Sequence, residues 1–445
     1  MAVIIAVAVA GWLAIRVPAS PFDGAASAET SSPKLIQRGE YVARLGDCVA
    51  CHSIPNSRAF TGGLKMATPL GSIYTTNITP ERETGIGAYS LADFDRALRH
   101  GVAPGRHRLY PAMPYPSFAK LSDDDVRALY AYFMHAVPPV RQQNKPGNIS
   151  SPWNARWLLA LWNAFFTPSG TYQPKDAAVP GRISTLWNRG AYLVQGPGHC
   201  GGCHTPRGFA MHELALDESD PRYLSGALLD GWYAPSLRND SNTGLGRWSE
   251  AEIIQFLKTG RNRHAVVFGS MTDAFNNSTQ FMRDDDLKAI AHYLKSLPGD
   301  AERDGEPLEY KAAWIAAMPP SEWLKIPGAQ TFMTQCSACH GQDGRGQSQW
   351  IPPLAGAASS LARENASSIN VTLNGSTRVV ADGIPSAYRM PAFRNQLSDQ
   401  EIADVLTFVR TSWGNEGCAV KAKDVRALRE QTNPASSNVI VLQMR

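Results

Sequence analysis

The chain has 445 residues, an apolar fraction of 43% and a formal net charge of +4. That length exceeds one ordinary domain and suits about two to four. The apolar fraction excludes a disordered tail and a multi-span membrane protein. The near-even charge balance excludes the concentrated basic face that nucleic acid binding requires.

The N-terminus is apolar from Ala2 to Ile15, ends that run at Arg16, and carries Ala26-Ser27-Ala28 before Glu29. The run is short for a bilayer span and suits a signal-peptide core with an Ala-x-Ala cleavage site. No Lys or Arg precedes it, so residues 1–28 read as a signal peptide or an N-terminal anchor. No other stretch has the length and apolarity of a membrane span.

A helical approach through Gly39-Glu40-Tyr41 leads to Cys48-Val49-Ala50-Cys51-His52. A short helix is predicted from Ser90 to Gly101, with Ser at its start and Gly at its stop. Tyr110-Pro111-Ala112-Met113-Pro114 follows as a loop. Ser122 then caps a helix with an acid three residues on and apolar positions at Val126, Leu129, Tyr130 and Phe133. Residues 35–143 read as a first domain.

Residues 144–182 form a linker carrying Trp153, Trp157, Leu158, Leu159, Leu161, Trp162, Phe165 and Phe166. A short helix between Pro152 and Pro168 suits it. Packing between domains is the leading reading. The other is docking on a partner subunit or a membrane interface.

The same plan then recurs. Gly190-Ala191-Tyr192 precedes Cys200-Gly201-Gly202-Cys203-His204; Ser249 to Gly260 is the middle helix; Gly269-Ser270-Met271-Thr272 is the loop; Leu287, Ile290, Ala291 and Leu294 line the last helix. Residues 183–298 are the second domain and 299–322 a polar linker. Gly328 and Phe332 precede Cys336-Ser337-Ala338-Cys339-His340, a weaker middle helix ends at Gly375, and Tyr388-Arg389-Met390-Pro391 precedes a helix with Ile402, Val405, Leu406 and Val409. Residues 323–415 are the third domain and 416–445 a tail with a helical pattern at Val425 and Leu428, then the apolar run Val439 to Leu442. The fold class is all-α, with three tandem cytochrome c-like heme domains. Each is small enough that the heme itself would supply much of the buried apolar surface.

Each Cys-x-x-Cys-His reads as a covalent heme attachment site. Cys48, Cys51, Cys200, Cys203, Cys336 and Cys339 would form thioethers to three c-type hemes. His52, His204 and His340 would each ligate an iron. Six of seven cysteines are thereby used, which makes a zinc or redox-dithiol reading poor. Cys418 is left over as a free thiol without an assigned role. Covalent heme attachment takes place outside the bacterial cytoplasm, so the motifs agree with export.

The far face of each iron calls for a methionine sulfur, which raises the potential and suits electron transfer. The ligand must lie on the loop between the middle and last helices. Met113, Met271 and Met390 do so, and His264 is the rival to Met271. Proline after Met113 and Met390 stiffens the loop and removes a backbone donor. Met66, Met134, Met211, Met282 and Met333 read as filler, and His100, His107, His135, His199, His212 and His292 as non-ligands. The ligating histidines need acceptors for their second ring N–H. The proline-bearing segments Thr68-Pro69-Leu70, Ala234-Pro235-Ser236 and Pro352-Pro353-Leu354 are expected to supply carbonyls.

Longer stretches carry a family resemblance: Arg38-Gly39-Glu40-Tyr41 through His52, Tyr74-Thr75-Thr76-Asn77-Ile78-Thr79-Pro80, Leu109-Tyr110-Pro111-Ala112-Met113-Pro114-Tyr115-Pro116, Gly244-Leu245-Gly246-Arg247-Trp248-Ser249 and Arg410-Thr411-Ser412-Trp413-Gly414. Over residues 36–415 the chain resembles the triheme cytochrome c subunit of bacterial membrane-bound dehydrogenases, of the gluconate 2-dehydrogenase and alcohol dehydrogenase type. The resemblance implies a separate catalytic dehydrogenase subunit, of flavin, PQQ or molybdenum type, that oxidises an alcohol, aldehyde or sugar acid. It implies onward electron transfer to ubiquinone or a terminal oxidase, and peripheral association with the periplasmic side of the cytoplasmic membrane. No residue of this chain is then catalytic. The rival reading is a self-sufficient multiheme enzyme, such as a peroxidase or small-anion oxidase, with one open heme and a polar distal pocket.

Overall fold

The computed structural model describes Gly11 and residues 16–24, 30–175, 184–311 and 318–432, apart from Asn56, Pro69, Ser169 and Asp230. The N-terminal apolar run, Ala26-Ser27-Ala28 and the run Val439 to Leu442 lie outside the described residues. Helices dominate, and among the described residues none is long and apolar enough to cross a membrane.

Three helix pairs organise the chain. The first joins α1 (Pro33–Leu45) to α3 (Asp123–His135), with α2 (Leu91–His100) beside them. Beyond α4 (Leu158–Phe166), the second joins α5 (Thr185–Gln195) to α8 (Asp284–Ser296), with α6 (Glu250–Thr259) and α7 (Met271–Asn277) alongside. In the third, the helical run Ala329–Thr331 and Phe332–Cys336 packs on α10 (Asp399–Thr411), with α9 (Ala366–Asn374) and α11 (Ala422–Gln431) against it. Each pair has its own apolar core, with Val126, Leu129 and Phe133 in the first, Leu287, Ile290 and Leu294 in the second, and Ile402, Val405 and Val409 in the third.

Glycine sets the approach of each pair. A Cβ on Gly39 would lie 1.9 Å from the Ala128 carbonyl oxygen, and one on Gly190 would lie 2.0 Å from that of Ala289. Gly328 (φ +82°) repeats the contact at 2.2 Å from the Asp404 oxygen. No other residue lets two backbones come this close.

Polar ends hold these helices. Ser90 with Asp93, Ser249 with Glu252 and Ser398 with Glu401 form reciprocal capping boxes. Ser122 caps α3 by accepting from the Asp125 N–H, but the Asp125 carboxylate does not return the bond. It is engaged elsewhere, by Arg38 and by Tyr192.

Among the described residues the fold departs from the all-α expectation in four two-stranded antiparallel hairpins. They pair Lys65–Thr68 with Gly71–Tyr74, Val102–Ala103 with His107–Arg108, Ala227–Leu229 with Trp232–Ala234, and Val380–Ala381 with Ile384–Pro385. The last turns at Asp382 (φ +50°) and Gly383 (φ +78°), the doubly left-handed geometry that Asp-Gly favours.

The aromatic linker has two faces. Inward, Trp162 packs on the Tyr115 ring at 5.8 Å and its indole N–H donates to the Ala210 carbonyl at 2.8 Å, tying the first unit to the second. Phe166 stacks on His212 at 3.9 Å. Outward, Phe165 is 78% exposed and Phe209, beside Phe166, is 97% exposed.

Candidate heme sites

Each Cys-x-x-Cys-His folds as a single helical turn after its approach helix: Cys48–Cys51, Gly201–His204 and Ser337–His340. No cysteine among the described residues is in a disulfide. Burial pushes the Cys48, Cys51 and Cys200 thiols up to about 12 and Cys336 to about 11. Among the described residues no three His, Cys, Asp or Glu side chains gather as a set that could hold a metal ion. The donor set fits thiols consumed as thioethers, with one imidazole beside each pair.

The three imidazoles share one orientation. His52 Nδ1–H donates to the Thr76 carbonyl at 2.7 Å, His204 Nδ1–H to Pro235 at 2.7 Å, and His340 Nδ1–H to Pro352 at 3.0 Å. A carbonyl only accepts, so the proton sits on Nδ1 of a neutral ring. Burial lowers the pKa of all three, and the carbonyl bonds offset this only in part. Nε2 therefore keeps its lone pair for an iron, with the tautomer fixed by the second bond.

Two acceptors fall in the proline-bearing segments expected from sequence. The first does not. Thr68 and Leu70 flank a hairpin tip, where Thr68 Oγ1–H closes the turn on the Gly71 carbonyl at 2.8 Å. The strand leaving that hairpin then delivers Thr76 to His52. Gly62 makes room, since a Cβ there (φ +72°) would lie 2.4 Å from the Thr76 carbonyl carbon.

Each methionine follows the glycine stop of its middle helix; Met113 and Met390 lie in loops as expected, whereas Met271 is the first residue of α7. The stop of α2 at Gly101 (φ +61°) is covered by the Tyr115 ring, two residues after Met113. The stop of α6 at Gly260 (φ +73°) is covered by the Phe275 ring, four residues after Met271. In the third unit the Met390 carbonyl itself lies against Gly375 and accepts from the Ser376 N–H at 3.1 Å. Met113 packs half-buried against the first core, and Met271 opens α7 beside Val267 and Phe275. His264 stacks on Trp248 at 5.2 Å, with its Nε2 3.4 Å from Glu252.

One stretch of the resemblance, Arg410 to Gly414, braces the third site. Arg410 is fully buried and its guanidinium donates to the carbonyls of Cys418, Ser359 and Ala362. Trp413 packs against Gly344 and donates to the Gln342 carbonyl at 3.0 Å, pinning the loop that follows His340.

The cytochrome c family profile matches residues 188–298 and 326–413, which are the second and third units. The chain is 48% identical to the cytochrome c subunit of alcohol dehydrogenase (quinone) from Gluconacetobacter polyoxogenes, over 93% of this chain and 89% of that one. It is 46% identical to the gluconate 2-dehydrogenase cytochrome c subunit of Pantoea cypripedii, over 94% and 95%. This chain belongs to the family of dehydrogenase cytochrome c subunits. It is also 35% identical to the fructose dehydrogenase cytochrome subunit of Gluconobacter japonicus, over 88% and 82%. Membership brings covalently bound heme c. The profile leaves the first unit unmatched, yet that unit repeats the motif turn, the oriented imidazole and the glycine-set helix pair of the second.

Proposed function

We propose that the chain carries three c-type hemes, one on each Cys-x-x-Cys-His, and relays electrons for a dehydrogenase complex. The observation that carries this reading is the threefold recurrence of one arrangement: an Nδ1-anchored imidazole directly after a Cys-x-x-Cys turn, with a methionine between the middle and last helices of the unit. Ligation pairs His52 with Met113, His204 with Met271 and His340 with Met390. When bound, the hemes supply one-electron chemistry. The protein sets their potentials through ligand, burial and local charge.

The donor is a catalytic dehydrogenase subunit that oxidises an alcohol, aldehyde or sugar acid, as the names of the relatives suggest, and the acceptor is ubiquinone or a terminal oxidase. The chain works on the periplasmic side of the cytoplasmic membrane as a peripheral subunit. The exposed Phe165 and Phe209, with half-exposed Trp153 and Trp157 earlier in the same linker region, support a contact with the interfacial layer of a bilayer. Carbon monoxide titration of the dithionite-reduced holoprotein tests the relay. Irons closed by methionine bind it weakly at all three sites, whereas avid binding at one iron would indicate an open heme and an enzyme. Affinity capture from the native host identifies the donor by the cofactor of the subunit that comes with it.

A further inference from the structure

The first and second units meet through a reciprocal set of contacts that the third does not share. Arg38-Gly39-Glu40-Tyr41 in α1 is matched by Arg189-Gly190-Ala191-Tyr192 in α5. Each arginine pairs with the acid at the third position of its own partner helix, Arg38 with Asp125 and Arg189 with Asp286, both at 2.7 Å. Each tyrosine crosses to the other unit's acid: Tyr41 O–H donates to Asp286 at 2.6 Å, and Tyr192 O–H donates to Asp125. Each phenol also accepts the first N–H of that helix end, Tyr41 from Arg283 and Tyr192 from Ser122. The two units are thus clasped about a local twofold. In the third unit Pro327, Gly328, Ala329 and Gln330 replace the motif, and Glu401 is spent on its capping box.

The clasp brings two heme turns together. His199, directly before Cys200, donates from Nε2 to the Gly46 carbonyl at 3.2 Å, two residues before Cys48. Its ring is held edge-on by Phe118 at 5.6 Å, and it adopts a left-handed φ of +34° that only surrounding contacts can maintain. One short path therefore runs from Cys48 through Asp47 and the Gly46 carbonyl, across the hydrogen bond to His199, and into Cys200.

We propose that His199 is the coupling residue between the first and second heme sites, positioned by the Tyr41–Asp286 and Tyr192–Asp125 clasp. This rests on the three-heme relay reading. One electron leaves a ferrous iron at one site and reduces a ferric iron at the other; the imidazole and the peptide are unchanged, and no proton moves. His199 is a positioning residue and touches no substrate.

The test uses the complete holoprotein in three forms: native, His199→Leu and His199→Gln. Intramolecular electron equilibration is followed after flash photoreduction, the three midpoint potentials are measured by spectropotentiometry, and heme content is read by peptide mass spectrometry. His199→Leu is expected to lose the fast equilibration phase while all three hemes remain bound and their potentials stay in place. His199→Gln, which keeps an N–H donor, is expected to retain it in part. A fast phase at native rate in His199→Leu overturns the proposal. If His199→Leu does not mature, the double variant Tyr41→Phe with Tyr192→Phe carries the same test. It is expected to slow that phase, and an unchanged rate overturns the proposal. Native protein without porphyrin at Cys48 and Cys51 overturns the three-heme reading, and the coupling with it.

Discussion

Gly190→Ala tests the close helix approach on which each unit is built. The added Cβ would lie 2.0 Å from the Ala289 carbonyl oxygen and 2.7 Å from the Tyr293 Cβ, where real contacts begin near 3.0 Å. The obstacle is backbone, so no side-chain rotation relieves it, and α5 and α8 must part by roughly 1 Å, a strain at the upper end of overpacking, about 3 kcal/mol. Alanine returns about 1 kcal/mol of helix propensity. The net loss is about 2 kcal/mol, or a fall of roughly 10 °C in the melting temperature of a unit this size. Calorimetry of the holoprotein reads it as a downward shift of the second unit's transition, with heme loss from Cys200 and Cys203 on the same curve. Gly202→Ala is the internal control. Its Cβ would meet nothing closer than 3.8 Å, and Ala50 and Ala338 already occupy the equivalent place in the other motifs. An unchanged or raised melting temperature for Gly190→Ala would refute the claim that glycine sets the helix spacing.

Met113→Ala, Met271→Ala and Met390→Ala should each remove one share of the methionine–iron absorption band and lower one midpoint potential; a variant keeping the full band would displace that ligand assignment. Arg410→Met should destabilise the third unit by about 2–4 kcal/mol, because the carbonyls of Ser359, Ala362 and Cys418 lose a shared charged donor in a buried place. Urea unfolding followed at the third heme checks it. Glu81 offers a pH test. Hydrogen bonds from the Thr84 hydroxyl and N–H hold its carboxyl down to about 2, against an ordinary 4.5. A folded pKa below the unfolded one gives stability that is complete above about 4.5 and is lost as the pH falls through about 2. Glu81→Gln should flatten that part of the urea midpoint against pH, and an unaltered slope would assign the acid lability to other groups.

Much of this arrangement was legible in the chain because the same devices recur. Gly39 and Gly190 stand out as glycines inside helices, where only a close approach repays their entropy cost, whereas Gly328 precedes its helix with a left-handed φ. The cysteine and histidine spacing named the attachment turns, and Pro235 and Pro352 supplied imidazole acceptors where prolines marked them. Thr76 was not foreseen, because the distance in sequence from histidine to acceptor differs in every unit: 24 residues from His52, 31 from His204 and 12 from His340. In the first unit the strand Gly71–Tyr74 leads past the segment expected to supply the acceptor and brings the Thr76 carbonyl to the ring. The hairpins escaped notice because strands of two to four residues carry no usable alternation. Asp230-Gly231 and Asp382-Gly383 were nonetheless present as turn signals. The roles of Asp125 and Asp286 were hidden for a different reason. An acid three residues into a helix reads as half of a capping box, and only the fold reveals that two of the three such acids serve Tyr192 and Tyr41 of the neighbouring unit.

Intact and peptide mass spectrometry of mature protein from its native host, with a pyridine hemochrome assay for heme count, tests the central claim most directly. The account predicts three porphyrins per chain, bonded at Cys48 and Cys51, Cys200 and Cys203, and Cys336 and Cys339. Fewer than three, or unmodified thiols at any of those pairs in correctly folded material, would contradict it.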